Sequence, residues 1–470
     1  MTTPAVIAFI LILLIPLWIQ LRRDFTKGLA LAVFFWVSMT TFVRIELPGS
    51  LPELTIHRLI LGSVFCFWLL DKKKTKSRWH VPFLGYFVFW ALANAVSLLS
   101  TEIDFVTSLK RYLDFVLETG LFYVVIASAL REEEQSLRVL HAAVLGLSLV
   151  AILAIIEHYT AFNPVDRFIP GYVRDDQGVH DVNSTYQHRI LLGTAMAMGL
   201  PLAFVPLWRT GGFRWSRSRI WLVVCLLAAG CYFSMSRGPW IGFGLTLLVL
   251  ALGGSRRVRV SLLGVAAFVA ITLIAKPGVL GTLTGFYEVT VDTDSHKGGT
   301  FLYRLELWKI AYEKISASSS RYLFGYGLGA GSEVELNWEL SYRDSRHRNR
   351  RIESWDNHFA YTLFQSGMVG FAATFALFFR GIYSIYKTWR NVSLDAKDAV
   401  LCLLASALVY FFMMSNVLIF AKQLDYLFWS IVAAGGALSR QYTPATELKL
   451  QETEPYDGLP VECPEMRQVF

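Results

Sequence analysis

Apolar residues in this chain come in uninterrupted blocks, not in the amphipathic rows of a soluble helix or the alternation of a half-buried strand. About 20 apolar residues carry a helix across a bilayer's hydrocarbon core, and tilt or local thinning tolerates somewhat shorter runs. On that rule the pattern predicts spans near 4–21, 28–43, 54–70, 81–99, 112–130, 139–157, 190–208, 220–235, 240–254, 260–275, 358–379, 399–420 and 425–439. The short segments 28–43 and 240–254 also suit half-helices. The expected fold class is therefore an all-α polytopic membrane protein of 12–13 transmembrane helices, with one large, partly helical loop. No repeat of 20–50 residues and no low-complexity tract breaks the order.

Composition agrees. Of 470 residues, 54% are hydrophobic and 17% charged, against about a quarter charged in soluble domains. The mean hydropathy is +0.45. A soluble enzyme, a disordered chain, a coiled coil and a disulfide scaffold are excluded. Cys66, Cys225, Cys231 and Cys402 lie inside apolar blocks and Cys463 in the tail, with no metal-ligand or disulfide spacing. The start, Met-Thr-Thr-Pro, has no cationic region ahead of the apolar run, so no cleavable signal is expected.

The net charge of +8 gains meaning from its placement. Loops 22–27, 71–80, 131–138, 209–219, 255–259 and 387–398 together hold 20 Lys and Arg against 7 Asp and Glu. Such loops stay in the cytoplasm, so the charge does not imply nucleic acid. The tail 441–470 is polar and expected to be a disordered cytoplasmic segment. The long connections 44–53, 100–111, 158–189 and 276–357 then fall on the periplasmic side, with the tight turn 236–240. The large loop, 276–357, has 11 Lys and Arg and 11 Asp and Glu, and is too long to vote on orientation. An amphipathic helix is expected at 302–316, with Leu305, Trp308, Tyr312 and Ile315 at helical spacing. The organisation reads as N-terminal helices 1–189, a core 190–380, C-terminal helices 381–440 and the tail.

Polar groups at span edges are costly and point to function. Arg237 sits in the turn Ser236-Arg237-Gly238-Pro239-Trp240, and Arg304 opens Arg304-Leu305-Glu306-Leu307-Trp308. His358 ends Trp355-Asp356-Asn357-His358 where the large loop re-enters the membrane, and His188 and Arg189 open the span at 190. Arginine forks bind phosphate oxygens in pairs and steady the charge of a departing diphosphate. A histidine titrating near neutrality takes a proton from an attacking hydroxyl. Each residue also has a plainer role: the arginines as snorkelling side chains, the histidine as a loop cap. The stretch Gly325-Tyr326-Gly327-Leu328-Gly329-Ala330-Gly331 lacks a following Lys-Ser/Thr, so it reads as a turn permitting close backbone approach. The run Arg343–Arg351 reads as a solvated face that adds attraction for anionic membrane lipids. Asp114 and Glu118, one turn apart in a span, read as partners of a buried arginine ahead of a proton or ion site.

These motifs, in this order, resemble the O-antigen ligase and O-antigen polymerase superfamily of bacterial inner-membrane glycosyltransferases. The resemblance covers about 190–380 and includes Asp356-Asn357-His358-Phe359-Ala360-Tyr361-Thr362-Leu363-Phe364-Gln365-Ser366-Gly367-Met368-Val369-Gly370. It implies transfer of a glycan from undecaprenyl pyrophosphate, at the periplasmic face, to a sugar hydroxyl of lipid A–core or of another glycan. It implies catalytic roles for Arg237, Arg304 and His358, with anomeric inversion, no cofactor and no metal. His188, Arg189, Trp308 and Asn357 are expected substrate contacts around them. Asn357 precedes the histidine, as in some exopolysaccharide polymerases, whereas ligases often carry asparagine directly after it. A lipid-linked sugar transporter is the rival of another class. It should show repeated halves and charges at the bilayer midplane, and no repeat is found. A metal enzyme is weaker still, since no His-Glu-x-x-His or similar ligand set occurs among the nine histidines.

Overall fold

A computed structural model describes residues 3–45, 53–70, 81–166, 175–176, 179–205, 215–275, 299–334 and 355–442. A helix occupies each of the thirteen apolar blocks. They are α1 (Thr3–Arg23), α2 (Phe25–Ser38), α3 (Ile56–Leu70), α4 (Leu84–Ser97), α5 (Phe105–Ala129), α6 (Glu133–Thr160), α7 (Arg189–Phe204), α8 (Arg217–Phe233), α9 (Arg237–Gly253) and α10 (Arg256–Ala275). The large loop contributes α11 (Gly299–Ile315), α12 (Ser319–Phe324) and α13 (Ala330–Glu333), and the chain closes with α14 (His358–Asn391), α15 (Leu394–Met414) and α16 (Lys422–Tyr442). Strand pairing among the described residues is confined to two-residue ladders, such as Arg44–Ile45 with Leu54–Thr55. The protein is thus an all-α, multi-pass membrane protein. Four helices have the length and hydropathy to cross a bilayer unaided: Phe105–Ala129, Glu133–Thr160, His358–Asn391 and Ala396–Met414. Several others, such as Phe25–Ser38 and Arg237–Gly253, are apolar but shorter.

The bundle is built around α15 and α16. Helix α15 packs against α7, α9, α14 and α16, and α16 against α2, α5, α6, α14 and α15. Their sequences explain the central place. Leu424, Leu427, Phe428, Trp429, Ile431 and Ala434 of α16 are wholly buried, so this helix is apolar on every side, as an inner helix must be. The outer helices instead turn one apolar stripe outward: Ile152 and Ile156 of α6, Leu248 and Leu252 of α9, and Phe375 and Phe379 of α14 are all exposed. In a soluble protein that ring of exposed apolar surface would be a liability; here it faces lipid. Buried polar side chains are tied across helices. The Trp90 indole donates to Thr374 Oγ1 at 3.1 Å and Ser406 Oγ to the Met198 carbonyl at 2.6 Å.

Above the main core sits a second, smaller one. It joins Leu307, Ala311 and Ile315 of α11 with Tyr326, Trp355, Leu363 and Phe364. The expected loop helix at 302–316 is there, and of the expected row Ile315 is buried and Trp308 packs against the core, but the other two positions do neither. Leu305 and Tyr312 are about half exposed, while Leu307, Ala311 and Ile315 are wholly buried. The stripe that packs is set by contact with α14, and it is rotated from the row read off the sequence, with Ile315 common to both. Of the other readings, the run Arg343–Arg351 and the tail from 443 onward lie outside the described residues.

Candidate active site

The starts of five helices gather at one end of the bundle. Side chains at the beginning of α3, α7, α9, α14 and α16 reach one another or the same loops, as the contacts below show. The first turn of a helix already carries unused N–H groups and partial positive charge. Placing cations there is unfavourable unless an anion is to be bound.

Arg237 is the first residue of α9. The turn that delivers it is fixed by Ser234 Oγ and the Trp240 indole, which both donate to the Cys231 carbonyl, at 2.7 and 3.0 Å. Met235 takes φ +46°, a rare conformation for a residue with a side chain and one that collects at functional sites. Pro239 falls in the first turn, where its missing N–H costs nothing. Arg237 feels the charges of both Arg304 and Arg189, arginines from two other stretches of chain.

Arg304 comes from α11. It is mostly buried, its Nε has no hydrogen-bond partner among the described residues, and its ion pair with Asp356 spans 4.0 Å. Burial pushes the guanidinium below its ordinary pKa, and Asp356 pulls it part of the way back. A buried fork with unspent donors is a binding group waiting for oxygen atoms. Arg189, the first residue of α7, pairs with Asp181 at 2.7 Å. His188 caps that helix, its Nδ1 accepting the Ile190 N–H at 3.2 Å.

His358 is the first residue of α14 and only 6% exposed. Its Nδ1 is buried with no hydrogen-bond partner among the described residues. Asn357 caps the helix. Its Oδ1 accepts the Ala360 N–H and its Nδ2 donates to the Ser415 carbonyl, both at 3.0 Å. Both ends of that amide are therefore engaged in holding the histidine's turn to the α15–α16 connection. Trp308, one turn after Arg304 on α11, packs edge-on against Phe371, with centroids 6.0 Å apart.

The height of His358 is set by a break in α14. Gly367 has φ +61° and ψ −167°, so the helix is interrupted nine residues after the histidine. The glycine-rich stretch fills the gap: the Tyr326 N–H donates to the Phe364 carbonyl at 3.1 Å and the Gly327 N–H to the Gln365 carbonyl at 2.9 Å. A Cβ on Gly325 would lie 2.5 Å from the Gln365 carbonyl. The sequence reading of this stretch as a close-approach turn holds; its partner is the broken helix. The stretch is braced in turn by the loop before α5, where the Glu102 N–H donates to the Tyr326 carbonyl at 3.0 Å and Glu102 pairs with Arg321.

A partly buried ionic network ties α3, α5 and α16 together. The expected arginine partner of Asp114 and Glu118 is Arg58 of α3, at 2.7 and 3.4 Å. Tyr426 donates to Glu118, and Tyr410 to Asp425. Lys422, the first residue of α16, lies 3.8 Å from Asp425 and 3.5 Å from the Asp114 carbonyl, and its charge bears on His358. Lys422 was not among the residues the sequence singled out. The signal was a cation beside an aspartate at a span mouth, but the span was read to begin at 425 and left the lysine in the connection.

The segment carrying His188 and Arg189 is equally well tied. Glu157 accepts the Ser184 N–H at 2.6 Å and Asn163 Nδ2 at 2.8 Å, and Gln423 Nε2 donates to the Thr185 and Met39 carbonyls. Three loops and two inner helices are therefore held in one rigid arrangement around the arginines and His358. The comparison with curated proteins gave no match. Residues 222–375 match the family model described as O-antigen ligase. That stretch begins in α8, takes in Arg237, Arg304 and His358 and ends within α14, and over it the chain is similar to the O-antigen ligase family.

Proposed function

We propose that this protein works at the periplasmic face of the bacterial inner membrane. There it transfers a glycan from undecaprenyl pyrophosphate to a sugar hydroxyl of an acceptor, lipid A–core or another glycan. The observation that supports this most is that the charges of Arg304, from α11, and of Arg189, at the start of α7, both bear on Arg237 at the start of α9. Arg237 and Arg304 clamp the pyrophosphate. His358, neutral, takes the proton of the acceptor hydroxyl as its oxygen attacks the anomeric carbon. The bond to the pyrophosphate breaks as the new glycosidic bond forms, and the leaving charge passes to the arginine forks. Attack opposite the leaving group inverts the anomeric centre. The cations already present supply the charge stabilisation that a divalent metal gives elsewhere, so this mechanism calls for none. Arg189 and Trp308 are contacts for the sugars, whereas His188 and Asn357 act through the turns they cap.

The ligase reading rests on the matched family; the order Asn357-His358 favours a repeat-unit polymerase. Reconstitution of the purified protein with undecaprenyl-pyrophosphate-linked repeat unit, with and without lipid A–core, separates them. A single addition to lipid A–core means a ligase. A ladder of longer lipid-linked chains without core means a polymerase. Movement of the donor across the bilayer with no transfer would replace both with a transporter.

A further inference from the structure

Lys422 occupies a poor position for a lysine. It is the first residue of α16, where the helix dipole repels a cation. About four fifths of its side chain is buried, and a buried ammonium is stable only when its hydrogen bonds are well made. They are not. Its contacts to Asp425 and to the Asp114 carbonyl are 3.8 and 3.5 Å, against about 2.8 Å for a charge-assisted hydrogen bond. The close partner of Asp425 is instead the Tyr410 hydroxyl, at 2.5 Å. Asp114 and Glu118 are taken by Arg58. The Phe115 ring, 5.3 Å away, flanks the lysine without satisfying a donor. The ammonium therefore keeps N–H groups to spare.

Its surroundings say what those groups are for. Helices α14 and α16 pack side by side, and each begins on the same end of the bundle, one with His358 and the other with Lys422. Asn357, next to the histidine, is bonded to Ser415 in the turn that leads into α16. Among the described residues the nine-tenths-buried His358 ring has no partner at Nδ1, and Arg304 none at its buried Nε. Unspent donors thus come from α11 and from the start of α16, the helix that packs beside the one carrying the histidine.

We propose that Lys422 is a further anion-binding residue of this site, giving its ammonium to the diphosphate of a polyprenyl diphosphate beside His358. The inference rests on the glycosyltransferase reading above. Bound diphosphate relieves both costs at Lys422, the repulsion from its helix start and the poorly made hydrogen bonds. A polyprenyl monophosphate has one phosphoryl group and cannot reach the arginines and the lysine together.

The test is equilibrium binding to the full-length protein in lipid nanodiscs. The probes are undecaprenyl diphosphate, undecaprenyl monophosphate and phosphatidylglycerol. Wild type is expected to prefer the diphosphate. Lys422→Gln is expected to bind the diphosphate about tenfold more weakly, with the other two probes little changed, and Lys422→Arg to regain most of the loss. If Lys422→Gln leaves Asp425 stranded and does not fold, Lys422→Gln/Asp425→Asn removes both charges together and carries the same expectation. Unchanged diphosphate binding in a folded variant overturns the proposal, as does an equal loss for all three probes. Wild type that binds no diphosphate brings down the glycosyltransferase reading itself, an outcome separate from loss in the variant alone.

Discussion

Replacing Gly367 by alanine asks whether the break in α14 holds the histidine in place. The glycine's φ of +61° with ψ −167° belongs to a region open to glycine and costly for any residue with a Cβ. An added Cβ would lie 2.5 Å from the Leu323 carbonyl carbon and oxygen and from the Phe324 nitrogen. These are backbone atoms, so no change of rotamer relieves the overlap. The strained conformation costs about 1–3 kcal/mol. Pushing the 323–327 segment away also weakens the Tyr326–Phe364 and Gly327–Gln365 hydrogen bonds, each contributing about 1 kcal/mol. The expected loss is about 3–5 kcal/mol. Thermal unfolding of the detergent-solubilised protein measures it, beside Gly244→Ala as control. Gly244 lies inside α9 with nothing within 4 Å of its added Cβ, so alanine there stabilises by about 0.5–1 kcal/mol. Gly367→Ala should unfold well below wild type and lose transfer activity, and Gly244→Ala should unfold at or above it. A Gly367→Ala protein as stable as wild type would refute the strain argument and the bracing role of the glycine-rich stretch.

Arg58→Met strands Asp114 and Glu118 and should cost about 3–5 kcal/mol, with part recovered when Asp114→Asn and Glu118→Gln are added; no recovery by thermal unfolding would mean the arginine matters through its aliphatic stem. His358→Ala should insert and fold yet transfer nothing, and normal turnover would remove the histidine from the base role. Arg237→Lys and Arg304→Lys keep the charge but lose the fork, and each should cut kcat/KM for the donor about tenfold or more while sparing KM for the acceptor. Trp355→Phe removes the hydrogen bond to the Gly331 carbonyl, 2.8 Å long and fully buried, and should destabilise by about 1–2 kcal/mol in the same unfolding assay.

Much of this protein is legible in its sequence because a bilayer enforces long apolar blocks and places cations on one side. The helices, the pairing of Asp114 with Glu118 by an arginine and the backbone approach at 325–331 all follow from local pattern. What does not follow is long-range. Arg58 lies 60 residues before Glu118, and no local rule selects it among the arginines. Gly367 sits in an apolar row that reads as unbroken helix; its break shows only with the 323–327 segment in place. On α11 the rows through Leu305 and Tyr312 and through Leu307 and Ala311 both contain Ile315 and are both apolar enough to pack, so only the contact with α14 selects the second. Asn357 carries a polar amide beside a presumed base, which fits substrate contact as well as capping; the Ser415 carbonyl, 58 residues away, engages it as a cap.

The break in α14 has a mechanical consequence. This helix has 34 residues, about 50 Å if straight, whereas the hydrocarbon core is about 30 Å thick. Its inner section is long enough to cross alone, so the piece that bears His358 is a separate lever arm clamped to the loop layer. A change in bilayer thickness that tilts the inner section is then expected to be taken up at the break at Gly367 before it reaches the ring. Evolution can then adjust the membrane anchor and the reaction geometry independently, one by altering residues below the hinge and the other by altering the loops above it.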